Sequence, residues 1–193
     1  LHAYFLRPGD VNKPIVYDVD RIRDGGSFTT RRVVAIQSGQ AIFNLAASFQ
    51  TEEEGFEHQD TMPEAPPPES CPTELERIAG FADRVPAFVR ERATAEHPFE
   101  IRPVGAVDDP LRPPPRAPER KVWIKTAHRL PDDPALHAYL LAYASDHAFL
   151  PTALLPHRVT WLSPGMQVAS LDQGGLAAFQ VAHLERNGGL IQK

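Results

Sequence analysis

With 193 residues and a formal net charge of −5 at pH 7, the chain lacks the basic surface on which nucleic-acid binding rests, so a nucleic-acid partner is not expected. A hydrophobic share of 42% beside 23% charged residues is ordinary for a globular chain able to build a sizeable core, and no apolar run approaches the roughly 18 residues of a membrane helix. The single cysteine, Cys71, makes no internal disulfide, and LHAYFLRPGD lacks the zones of a signal peptide, so a reducing, cytoplasmic setting is the expectation.

Residues 1–51 read as strands. Residues 2–7 stop at the turn Pro8-Gly9-Asp10, and residues 14–23 alternate through Ile15, Tyr17 and Val19, then Ile22 after a slip. Asp24-Gly25-Gly26 is a hairpin signal. Residues 27–37 and 41–50 follow as strands around Ser38-Gly39-Gln40. Such a meander needs something packed on its apolar face, and no amphipathic helix within this stretch supplies it.

From 52 to 72 the chain turns acidic and proline-rich, the composition of a linker or surface loop. Residues 73–93 look helical, with Thr73 and Glu76 at capping-box spacing and Pro86 breaking the run. A second unit begins near Pro98, with strands at 99–105 and 121–128 on either side of a proline-rich loop. One long helix is expected from Asp132 or Asp133 as N-cap, through Pro134 at the first position, to Leu150, where Pro151 ends it. Strands near 158–171 and 177–186 complete the pattern, with a turn at Asn187-Gly188-Gly189. The expected organisation is a first sheet domain over 1–51, a linker with helix over 52–97, and a second domain over 98–193.

The chemistry points to that helix. At helical spacing Leu136, Leu140, Tyr143, His147 and Leu150 share a stripe, and Asp146 lies beside it, next to Tyr139. A carboxylate there borders the core in the last turn, where the macrodipole disfavours negative charge. Stability does not ask for an acid at that place, and a general base or water-orienting carboxylate would need one; the competing role is a solvated Asp tipped outward. For His147 a packed, hydrogen-bonded histidine is the commoner role. The histidines make no metal-ligand spacing, no G-x-S-x-G elbow is present, and nothing around Cys71 suggests a reactive thiol. Arg31 with Arg32, Arg112 with Arg116, and Arg120 with Lys121 could anchor a nucleotide phosphate or form solvated faces.

Longer segments carry a resemblance. YFLRPGD (4–10), PIVYDVDRIRDGGSFTTRRVVAIQSGQAIF (14–43), GFEHQ (55–59), MPEAP (62–66), VWIK (122–125), PDDPALHAYLLAYASDHAFLPTAL (131–154) and SPGMQVASLD (163–172) resemble, in order, the bacterial type II acyl-CoA thioesterases. The resemblance implies an α+β double hotdog: two long antiparallel sheets, each wrapped round a central helix. It implies a fatty acyl-CoA substrate, no metal or redox cofactor, and homo-oligomers formed through the hotdog sheets. The first hotdog is expected to be incomplete, its helix belonging to a region before YFLRPGD. The family's YASD acid matches Asp146, and its Thr or Ser before an L-D-H segment matches Ser170. Its third water-activating group, a Gln in an A-Q-E-G segment, has no secure counterpart, and Gln192 is not assigned the role. The implied mechanism is direct hydrolysis. Asp146 deprotonates a water with the Ser170 hydroxyl as partner, and a backbone N–H at a helix N-terminus polarises the carbonyl. Tyr139 and Tyr143 either line the acyl tunnel or pack in the core.

Two alternatives stand beside this reading: a non-catalytic acyl-CoA-binding hotdog protein, and a hotdog enoyl-CoA hydratase, whose Asp and His lie closely spaced on one loop. The family also places a His-x-x-Trp-Phe-His segment between the counterparts of Asp172 and Gln173. A spacing wider than the ordinary 3.8 Å between their Cα atoms is therefore expected.

Overall fold

The computed structural model describes residues 1–193 except 57, 59, 148, 168, 170, 175–189 and 193. The chain divides into two units, the first holding Leu1–His58 with a late strand, the second holding Gln59–Val168 with another.

The first unit is an antiparallel sheet. β1 (His2–Phe5), β2 (Val16–Asp24), β3 (Phe28–Gln37), β4 (Gln40–Gln50) and β7 (Asp172–Gly174) lie in the order β2-β3-β4-β1-β7. The expected turns set the register. Ser38 and Gly39 both take positive φ, 51° and 77°, the backbone of a type I′ hairpin, whose twist matches that of the strands. At Gly25 a side chain would meet the Phe28 carbonyl oxygen at 2.7 Å, which is why the β2–β3 turn needs glycine. The slip before Ile22 is a register shift between Asp20 and Arg23 opposite β3. Gln37, buried at the end of β3, accepts from Asp10 N (2.8 Å) and donates to the carbonyls of Asp10 (2.9 Å) and Lys13 (3.0 Å). One amide thereby holds the PGD loop to the sheet. Cover is thin: Ala3, Ala35 and Ala47 are buried, whereas every residue of β2 is exposed, Val16, Tyr17, Val19 and Ile22 included.

The second unit centres on a three-stranded antiparallel sheet, β5 (Phe99–Pro103), β6 (Val122–Thr126) and β8 (Leu190–Gln192), with β6 in the middle. The region 73–93 forms two helices, α1 (Glu74–Ala79) and α2 (Ala87–Thr94), separated at Pro86. The capping box is present: Glu76 N donates to Thr73 Oγ1 (3.1 Å), and Thr73 N donates to Glu76 Oε2 (2.7 Å). Two clusters make the core. Cys71 and Trp123 pack with Ala65 and Val104; Val122, Ile124 and Ala144 pack with Phe99 and Ile101.

Three expectations are corrected. The long helix is two, α3 (Pro134–Ser145) and α4 (Phe149–Leu154). Pro151 sits inside the first turn of α4, where its missing N–H has no intrahelical partner to lose. The buried face of α3 is also rotated from the expected stripe. Ala144 and Ser145 are buried, while Tyr139 and Tyr143 are 60% and 67% exposed. A small residue brings the helix close to Val122 and Ile124, and Tyr143 stacks outside on Phe99 at 5.9 Å. Residues 158–167 form turns rather than a strand, because the Thr160 and Ser163 side chains bind local backbone and Gly165 takes φ +74°. The strand expected at 177–186 lies outside the described residues. β7 runs through Asp172 and Gln173 opposite Tyr4 and Ala3. Among the described residues no helix is long and apolar enough to cross a membrane.

Candidate active site

α3 starts where its sequence says it should. Asp133 caps it, accepting from Ala135 N at 2.9 Å, and Pro134 takes the first position. At the other end Asp146 is the C-cap (φ −77°, ψ −15°), with its N–H on the Ala144 carbonyl. Asp146 is therefore in a turn between two helices, not within one, and its side chain is partly buried. Among the described residues no hydrogen bond or ion pair engages the Asp146 carboxylate. Ser170, its expected partner, lies outside the described residues.

His147 follows in the same turn, its N–H on the Ala144 carbonyl at 3.1 Å. Its ring is exposed, not packed, with Nε2 3.6 Å from Glu74 Oε2. Glu74 opens α1, and its other oxygen lies 3.7 Å from an Arg120 nitrogen. α1 is fastened to the sheet by Arg77, which donates to the carbonyls of Ala106 (2.9 Å), Gly105 (2.8 Å) and Pro103. Arg102 of β5 donates to the Cys71 carbonyl (2.8 Å) just ahead of α1. A cleft of about 510 Å³ opens beside Glu74, lined by Ile78, Val85, Val89, Leu154, Trp161 and Arg120 among others; Asp146 is not part of its wall.

Burial would raise the Glu74 carboxyl, but the hydrogen bond from His147 and the charges of His147, Arg120 and Arg77 outweigh it and hold Glu74 below the usual glutamate range. Burial pulls the Arg120 guanidinium below its ordinary value, while Glu74 pulls it upward. A depressed carboxyl contributes stability above its unfolded-state value and loses that contribution as pH falls through the folded one. The gap in denaturation midpoint between wild type and Glu74→Gln is thus expected to narrow between pH 7 and pH 3. A gap that stays constant across that acid range, measured in urea, would show that Glu74 carries no such linkage.

Of the cations singled out in the sequence, Arg31, Arg32, Arg116, Arg120 and Lys121 are engaged by this chain's own groups. Arg31 pairs with Asp24 and Arg32 with Asp20. Arg116 holds Asp108 through two nitrogens, at 2.8 and 2.7 Å. Lys121 donates to the Glu64 carbonyl at 2.7 Å. Glu74 and Arg77 were not among the candidate residues; the capping-box segment Thr73–Glu76 was the sequence signal nearest to them.

The sequence profile of the family described as acyl-CoA thioesterase matches residues 88–174, and that of the acyl-CoA thioesterase N-terminal domain matches residues 1–50. The chain is 41% identical over 171 residues to acyl-CoA thioesterase 2 of Haemophilus influenzae, covering 89% of this chain and 59% of the relative. The chain belongs to the type II acyl-CoA thioesterase family. Among solved structures it is similar to the acyl-CoA thioesterase II TesB2 of Mycobacterium marinum (41% identity, TM-score 0.65, 89% of this chain and 58% of that one). It also resembles a hot dog fold protein of unknown function from Alicyclobacillus acidocaldarius (18% identity, TM-score 0.62, 89% of this chain and 55% of that one). The fold of this thioesterase-family chain is thus an α+β hotdog. The chain spans under two thirds of the length of these relatives. The profile over 88–174 takes in the whole of α3 and the Asp146–His147 turn.

Proposed function

We propose that this protein hydrolyses fatty acyl-CoA thioesters to free fatty acid and coenzyme A. The observation that carries the proposal is the pair of family matches, of which the one over residues 88–174 contains Asp146 in its turn. In the proposed reaction Asp146 takes a proton from a water aligned by the Ser170 hydroxyl, and the water oxygen attacks the thioester carbonyl. The tetrahedral oxyanion is held by a backbone N–H. It collapses with cleavage of the C–S bond, and the proton on Asp146 passes to the departing coenzyme A sulfur. No cofactor enters this scheme.

The architecture in the proposal is a double hotdog, with 1–51 in the first hotdog, 98–193 in the second and 52–97 linking them. A first-hotdog helix outside this chain agrees with the exposed β2 and the thin burial of the first sheet. Self-association through the sheets is supported by the same exposed apolar residues. The setting in the proposal is cytoplasmic, with neither membrane nor nucleic acid as partner.

Palmitoyl-CoA with a thiol-reactive chromophore tests the reaction. Stoichiometric thiol release is expected. A hydratase would instead add water to a 2-enoyl-CoA and release no thiol. A binding protein would gain thermal stability with acyl-CoA and turn nothing over; either result would replace the proposal.

A further inference from the structure

We infer that Glu74 is a positioning residue for Asp146, acting through His147; the inference rests on the reading of Asp146 as the base. Asp146 and His147 occupy a turn whose own backbone supplies two weak constraints, both N–H groups pointing at the Ala144 carbonyl. Two independently anchored elements flank it. α3 is pinned to β6 by Ala144 against Val122 and Ile124. α1 is pinned to the end of β5 and the loop after it by the Arg77 fork and the capping box. The His147–Glu74 contact at 3.6 Å closes the circuit between them. Glu74 is held from its other side by Arg120 at 3.7 Å, with the Arg77 charge also acting on it.

Magnitude argues for geometry over stability. The Glu74 and His147 side chains are 39% and 48% exposed, and pairs so open to water add little to folding. Small displacements of a reacting group are costly in a different way: a shift of about 1 Å can reduce rate by as much as ~10²-fold. A contact that adds little to folding can therefore still fix where the neighbouring carboxylate sits.

The test compares palmitoyl-CoA kinetics of wild type, Glu74→Gln, His147→Ala and Asp146→Asn, with Glu74→Gln also placed in the Asp146→Asn background. Glu74→Gln is expected to lower kcat roughly 10-fold with KM within about twofold. His147→Ala should do the same, and the double variant Glu74→Gln/His147→Ala should be no worse than either. In the Asp146→Asn background Glu74→Gln should have no further effect. The same fold loss in both backgrounds, or a change confined to KM, would overturn the inference. Urea midpoints at pH 8 identify any variant that merely unfolds. If wild type releases no thiol, the thioesterase reading is what fails. The link itself is then read from the Asp146 backbone amide resonance, which Glu74→Gln should shift while amides of β2 stay in place. An unmoved Asp146 amide sinks the inference whatever the activity.

Discussion

Asp146→Asn lowers kcat for palmitoyl-CoA about 10²-fold or more, with KM nearly unchanged, if the carboxylate is the base. Asparagine keeps the size and hydrogen-bonding shape of the side chain at the C-cap and removes only the ability to take a proton. The C-cap backbone is ordinary right-handed geometry, so the substitution adds no strain and a folded, substrate-binding variant is expected. The loss follows from the normal worth of a positioned general base, ~10²–10⁴ in rate. Removing it spares ground-state contacts, which is why kcat and not KM should fall. Stopped assays over several acyl-CoA concentrations separate the two parameters. A variant with near-normal kcat would take Asp146 out of the mechanism and shift attention to the cleft beside Glu74, whose wall does not include it.

Trp123→Ala is expected to cost about 3–5 kcal/mol, the usual range for deleting a buried Trp. The indole is 5% exposed, packs on Cys71 with Ala65 and Val104, and donates Nε1–H to the Pro66 carbonyl at 3.0 Å. The loss therefore has two parts, a cavity under the 65–71 segment and a carbonyl deprived of its donor. Trp123→Phe separates them. The ring volume is largely kept, and the Pro66 carbonyl left unpaired should cost about 1–3 kcal/mol. Urea denaturation of the two variants checks this. A Trp123→Ala cost below about 1.5 kcal/mol would mean that the polyproline segment is not truly seated on β6. Because α1 follows that segment directly, a loosened Trp123 should also loosen Glu74.

Local chemistry explains which elements were readable in the sequence. The β2–β3 and β3–β4 hairpins are dictated by residues that touch each other across a turn, Gly25 against Phe28 and the Ser38-Gly39 pair. The caps at Thr73 and Asp133 are likewise satisfied within three residues. The break in the helix after Ser145 is not legible because LHAYLLAYASDHAFL is helix-compatible throughout, and Pro151 fits a first turn as well as it fits a stop. The buried face of α3 is hidden from the sequence for a related reason. Helical spacing puts Tyr143 on the inward stripe with Leu136 and Leu140, but close approach to Val122 and Ile124 selects Ala144. Asp146 came from a resemblance carried by the YASD segment, with spacing placing it only at a core border. The His147–Glu74 contact joins segments far apart in sequence, of the kind periodicity cannot report.

The strand order of the first unit sets an order of events in time. β2, β3 and β4 follow one another through short turns, so their pairing closes only small loops and can form within microseconds of the segment becoming free. β7 reaches β1 only after residues 51–171 have been traversed. Synthesis runs from N- to C-terminus, so β7 cannot cover its side of β1 until residues 51–171 have been made. Until then that side of β1 has no β7 to pair with, and an unpaired strand edge is where chains associate.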